Sequence, residues 1–183
     1  LLEGIFFYNF TSPEFNVNVC QLPFWTLTVY YCWKGFTQDD TKSWILFGLF
    51  AGLGILSKYL FIYLLIALDI FFIYWIVKKK FNFKCFISLI SFFAVLLPHL
   101  IWLVDNNYST IKYVFSRADL ETYSFENHIL NPLIFLGKQI SLLTPFFIMI
   151  FLLIKDFKIN INFKKKNLLF LISVNIVPLL LVF

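Results

Sequence analysis

Charge is what this sequence has least of. Of its 183 residues only 14% are Asp, Glu, Lys or Arg, against about a quarter in a soluble domain. Apolar residues make up 61%, where about half is usual, and an ordinary soluble globular protein is excluded. Cysteine is scarce too. Cys20, Cys32 and Cys85 lie far apart, within or beside apolar runs, with no CxxC and no metal-ligand spacing. That excludes a disulfide scaffold and a structural metal site of the usual kind; the three read as packing residues. Arginine is nearly missing: fourteen lysines stand against Arg117 alone. There is no internal repeat, no low-complexity tract and no soluble domain. The only methionine is Met149, and the chain runs from Leu1 to Phe183, inside an apolar stretch. It is therefore expected to be an internal piece of a longer protein, and no signal peptide can be judged from it.

What is present is a series of long apolar runs separated by short lysine-rich breaks. A helix needs ~20 apolar residues to span a bilayer. The runs predict an all-α, polytopic transmembrane helical bundle, one domain over 1–183. An N-terminal stub at 1–8 precedes about six spans, at 17–33, 43–57, 59–77, 85–104, 139–154 and 167–183. "HILNPLIFLGKQISLLTP", residues 128–145, is read as an interfacial helix near 130–138 followed by a span from Gln139; one long kinked helix is the alternative. Trp33, Trp44, Trp75 and Trp102 fall near the expected membrane interfaces and suit aromatic anchors. Gly48 and Gly52 form a GxxxG, a signal for close helix packing.

The breaks at 34–42, 78–84 and 155–166 hold eleven lysines; Lys58, Lys112, Arg117 and Lys138 alternate with them. Positive charge gathers on the cytoplasmic side. The eleven-lysine side is thus expected to be cytoplasmic, with the long loop 105–128 extracytoplasmic. The net charge of +5 needs no nucleic acid partner, because the lysines sit at helix ends.

The side carrying few cations holds the unusual residues. "NFTSPEFNVN" (9–18) brings Glu14, Asn16 and Asn18 there, the tight turn "SKY" brings Lys58, and loop 105–128 brings Asp105, Asn106, Lys112, Arg117 and His128. A lipid-linked phosphate has its head at that depth and its chain among apolar helices. Lys58 reads equally as a lysine snorkelling to the interface or as a phosphate contact. Arg117 offers phosphate a rigid two-pronged fork that lysine lacks. His99, after Pro98, suits a hydrogen-bonded structural role or a substrate contact. His128 suits a helix-start role or a substrate contact, and Lys112 a solvated charge. Asp69 lies within a span, where a carboxylate is costly; a neutral or paired structural role is the favoured reading.

The segments "FTSPEFNVNVCQLPFWTLTVYYCWKG", "WILFGLFAGLGILSKY", "LLPHLIWLVDNNYSTIKYVFSRADL" and "HILNPLIFLGKQISLLTP", in this order, resemble bacterial family-39-type glycosyltransferases. These belong to the C-type superfamily, with the dolichyl-phosphate-mannose protein mannosyltransferases and the RgtA/B/C/D-like enzymes. The resemblance implies a multi-pass enzyme of the cytoplasmic membrane. It would move a hexose or pentose from a polyprenyl-phosphate donor to a glycan, lipid or protein acceptor on the extracytoplasmic face. It implies a catalytic acid in a first outward loop, expected upstream of Leu1, so this piece alone is expected to be inactive. A divalent metal serves some members. By position, Lys58 matches the family's Thr/Ser-Lys turn. Arg117 is the second donor-phosphate candidate, although "FSRADLE" departs from the family's His-x-x-Arg-aromatic run. His99, Asn106 and His128 are substrate-site candidates. A secondary transporter or flippase subunit is the rival reading, with Asp69 as a proton relay; against it, no repeat of the transporter kind is present.

Overall fold

The structure, a computed structural model, describes residues 16–77, 83–118, 125–153 and 165–182. The expected stub at 1–8, and most of the lysine-rich breaks at 78–84 and 155–166, lie outside the described residues. Among the described residues seven α-helices follow one another: α1 (Val17–Gln38), α2 (Thr41–Ser57), α3 (Ile62–Val77, entered through a tight 3-10 turn at Tyr59–Phe61), α4 (Cys85–Asp105), α5 (Ser109–Ala118), α6 (Phe125–Leu153) and α7 (Lys165–Val182). No strand occurs among the described residues. Among the described residues three stretches are long and apolar enough to cross a membrane: Tyr59–Val77, Cys85–Asp105 and Leu130–Leu152; Thr41–Ser57 and Asn167–Leu181 are shorter apolar helices. The described residues form two compact units, one from 16–105 and 165–182, the other from 106–118 and 125–153.

In the first unit, α1 runs past the predicted end at 33 because nothing in Lys34–Gln38 stops it. Gly35 is buried against the Trp44 ring rather than ending the helix. Asp39 ends it instead, with a left-handed φ of 53° and its N–H donating to the Gly35 carbonyl at 3.1 Å. Asp is among the few residues that visit that region readily. Asp40 then opens α2. Its carboxylate accepts from the Lys42 N–H at 3.1 Å and the Ser43 hydroxyl at 3.0 Å. The Ser43 hydrogen bond, followed by that of Lys42, holds the Asp40 carboxyl below its usual range.

The hairpin this cap creates packs α2 antiparallel to α1. Phe36 meets Trp44 edge-on at 5.2 Å, and Tyr31 stacks on Phe50 at 5.5 Å. α2 and α4 run parallel: Gly48 lies against Ser88 and Ser91, and Gly52 against Phe92 and Val95. The Ser91 hydroxyl donates to the Ile45 carbonyl at 3.0 Å. Phe170, early in α7, sits on Trp33 at 4.8 Å and on Phe71 at 5.0 Å. The start of α7 therefore meets the ends of α1 and α3.

The core is aromatic, centred on Phe36 with Trp44, Phe71, Phe72 and Trp75 around it. Trp44 corrects the sequence reading. Expected as an interface anchor, it is 1% exposed. It lies one turn into α2, where the α1–α2 hairpin turns its ring onto Gly35 and Phe36. Trp102, by contrast, is exposed.

In the second unit, the segment expected as a loop at 105–128 contains α5. Asn107 and Tyr108 both take left-handed φ values, 52° and 57°; such values are uncommon outside glycine, and they turn the chain sharply before Ser109. Ile111, Val114 and Phe115 form an apolar stripe at helical spacing, with Ser109, Lys112, Tyr113 and Ser116 on the other face. The segment is charged and aromatic because it is an amphipathic helix. α6 is one helix through Pro132 and Pro145, so the expected break at Gln139 is absent. Each proline removes one backbone hydrogen bond, a loss that apolar membrane helices tolerate, and Lys138 is a single charge whose stem can lie along an apolar face.

Candidate functional site

One end of the first unit gathers the start of α1, the end of α2, the 3-10 turn and the last turns of α4. The turn "SKY" is fixed by its own backbone. The Ser57 hydroxyl donates to the Gly54 carbonyl at 2.7 Å, and the Lys58 N–H donates to the same carbonyl at 3.1 Å. Lys58 is extended, with φ −161°, and the Phe61 N–H returns to its carbonyl at 3.0 Å. The side chains of Lys58 and Tyr59 then leave the turn toward different helices.

The Lys58 ammonium donates to the Asn18 amide oxygen at 2.6 Å, across forty positions of sequence. Asn18 is itself held. The Asn16 side-chain oxygen accepts from the backbone N–H of Asn18 at 2.9 Å and of Val19 at 3.2 Å, capping α1. Tyr59 meets His99 through its hydroxyl and Nε2 at 2.7 Å. The His99 ring stacks on Trp102, with centroids 5.8 Å apart and planes at 15°. The result is one cation, two amides, a phenol and an imidazole on two helices and a turn. No carboxylate pairs with Lys58 among the described residues. The opposite end differs: there Lys84 is paired with the Asp39 carboxylate at 3.1 Å.

Of the five residues singled out from sequence, Lys58 and His99 both join this cluster, linked through the adjacent Tyr59. Asn106 is exposed at the turn before α5, where its carbonyl accepts from the Ser109 N–H at 3.1 Å. Arg117 lies in the last turn of α5 and His128 in the first turn of α6; the side chains of both lie outside the described residues. The sequence placed Asn18 on the same side as Lys58 without making it a site residue, and Tyr59 was passed over. For Tyr59 the signal was adjacency to Lys58; for Asn18 it was an amide in the first turn of a helix whose start faces the same end.

The cluster does not suit a divalent metal. Among the described residues it offers no carboxylate, and one of its members is an ammonium. Among the described residues no three His, Cys, Asp or Glu side chains gather. Asp69 lies elsewhere, in an apolar lateral groove of about 650 Å³ between α3 and α4, with Gly48 and Ala51 of α2 at its floor. None of the Lys58 cluster lines that groove.

The apolar helices and this polar end are those of a membrane-embedded protein. The family described as dolichyl-phosphate-mannose-protein mannosyltransferase matches the chain over residues 1–102. The chain belongs to that family and hence, in general terms, to the membrane glycosyltransferases. Asn18, Lys58, Tyr59 and His99 fall inside the matched stretch; Asn106, Arg117 and His128 fall beyond it. No curated protein and no solved structure matches the chain.

Proposed function

We propose that the chain is part of an enzyme of the cytoplasmic membrane that transfers a hexose or pentose from a polyprenyl phosphate to a glycan, lipid or protein acceptor on the extracytoplasmic face. In this reading Lys58 binds the donor's phosphate. The observation that carries it is the state of Lys58: its ammonium is positioned by a neutral amide at 2.6 Å. A neutral partner fixes the cation without cancelling its charge, which stays available to an anion.

In the reaction an acceptor hydroxyl attacks the anomeric carbon, and the bond from that carbon to the phosphate oxygen breaks. The lipid phosphate leaves with the electron pair. A carboxylate takes the hydroxyl proton. Negative charge on the phosphate grows as the bond breaks, so a fixed cation favours the transition state over the ground state. Arg117 enters the proposal as a second cation from sequence alone.

The test is transfer from a polyprenyl-phosphate sugar by the full-length protein in detergent. Removing one preorganised electrostatic donor typically costs about 10²–10³ in rate. Lys58→Ala is expected to lose activity toward that range, with a folded protein by thermal unfolding. Wild-type turnover at limiting donor in Lys58→Ala would sink the reading. The transporter alternative rests on Asp69 in its lateral groove; it would require Asp69→Asn to abolish a proton-coupled flux in vesicles.

A further inference from the structure

We infer that Asn18 is a direct ligand of the same phosphate, donating through its side-chain nitrogen beside Lys58; the inference rests on the reading of Lys58 given above. A lysine ammonium can only donate hydrogen bonds. The Asn18 atom 2.6 Å from it must therefore be the amide oxygen, which fixes the amide's orientation. The amide nitrogen, joined to that oxygen through a single carbon, stands beside the ammonium with both its N–H groups. Among the described residues neither of these N–H groups has an acceptor, and Asn18 is exposed.

The ammonium carries three N–H groups and gives one to Asn18. Two remain. The pair thus presents N–H groups from two side chains on one rim, one set charged and one directional. The rim is rigid on both sides: Asn16 anchors the Asn18 backbone, and Gly54 anchors the Lys58 backbone. A phosphate has several acceptor oxygens and can engage both nitrogens at once. Tyr59 and His99 are paired with each other at 2.7 Å.

The experiment is equilibrium binding to the full-length protein in detergent, read by intrinsic tryptophan fluorescence. Its probes are a polyprenyl monophosphate, the polyprenol of equal length, and inorganic phosphate. Asn18→Ala and Asn18→Asp are each expected to weaken polyprenyl monophosphate about tenfold while leaving polyprenol unchanged. Asn18→Asp keeps an acceptor for Lys58 and loses both N–H donors; it also sets a carboxylate against the Lys58 charge, so its loss supports the inference only beside a loss in Asn18→Ala. Binding as tight as wild type in Asn18→Asp would make Asn18 a mere positioner and overturn the inference. So would an equal loss for polyprenol, which would mean that the helix start had been disturbed. Should Asn18→Ala fail to fold, Asn18→Thr, which lacks the amide nitrogen and brings no charge, takes its place. If Lys58→Ala weakens the monophosphate while both Asn18 variants do not, the inference fails and the reading of Lys58 stands. If Lys58→Ala binds it like wild type, both fall. Inorganic phosphate binding as tightly as the lipid would make the rim a free-anion site and overturn the lipid assignment.

Discussion

Two lysines in the first unit show how much a residue's partner decides. Lys84 and Lys58 both stand at helix ends, and from sequence both read as interface charges. Lys84 spends its charge on Asp39, Lys58 on no carboxylate among the described residues. The sequence named Lys58 and His99 but could not supply their partners, because each partner lies forty positions away and neither spacing carries a helical or strand period. Arg117 keeps its sequence-based standing as the lone arginine. If it binds donor phosphate, Arg117→Ala should lower turnover by about 10²–10³. Arg117→Lys should recover only part of that, since the guanidinium's bidentate fork is lost. Donor-dependent transfer by purified variants measures this, and a folded Arg117→Ala with full turnover at limiting donor would remove it from the site.

Among the elements, α2 carries the sharpest physical demand. Its glycines let α4 approach until a side chain no longer fits. A Cβ on Gly48 would run into the Ser88 carbonyl oxygen and the Ser91 hydroxyl, and one on Gly52 would lie 2.9 Å from the Val95 Cβ. The two are not equivalent, because a backbone carbonyl of a neighbouring helix gives way less readily than a side chain. Overpacking of this kind costs about 1–3 kcal/mol. Gly48→Ala should therefore lower the unfolding temperature in detergent by more than Gly52→Ala. Equal or reversed shifts would show that the helices part freely there. This packing was legible, since GxxxG is a spacing rule. The rest of the element reading shows where spacing fails. The sequence pattern found the end of α3 and the start of α4, where apolar runs coincide with helices. It stopped α1 a turn short, because Lys34 broke the apolar run without breaking the helix, and it divided α6 at a lysine that the backbone ignores. Trp44 was misread because a tryptophan near a helix start looks alike whether it faces lipid or core. Only the hairpin at Asp39 and Asp40 decides.

For the whole molecule, the cations alternate: they crowd every second break. That alternation requires the end of α1, the start of α2 and the start of α4 to share one end of the first unit. They do. Lys84 reaches Asp39, and Asp40 joins α1 to α2, so Lys34, Lys42 and Lys84 all belong to that end, with Lys58 at the other. Which end faces the cytoplasm follows, by proposal, from the lysine count, because cytoplasmic loops retain an excess of Lys and Arg. Single cysteines test it in the full-length protein, in a background with Cys20 and Cys85 changed to serine. Cys32 is 0% exposed and can stay, since a water-soluble maleimide has no access to it. Lys80→Cys and Lys164→Cys should label only after the membrane is permeabilised, and Asn107→Cys and Thr122→Cys should label in intact cells. The opposite pattern would place Lys58 in the cytoplasm. A donor phosphate presented from outside could not then reach it, and the proposed chemistry would lose its substrate.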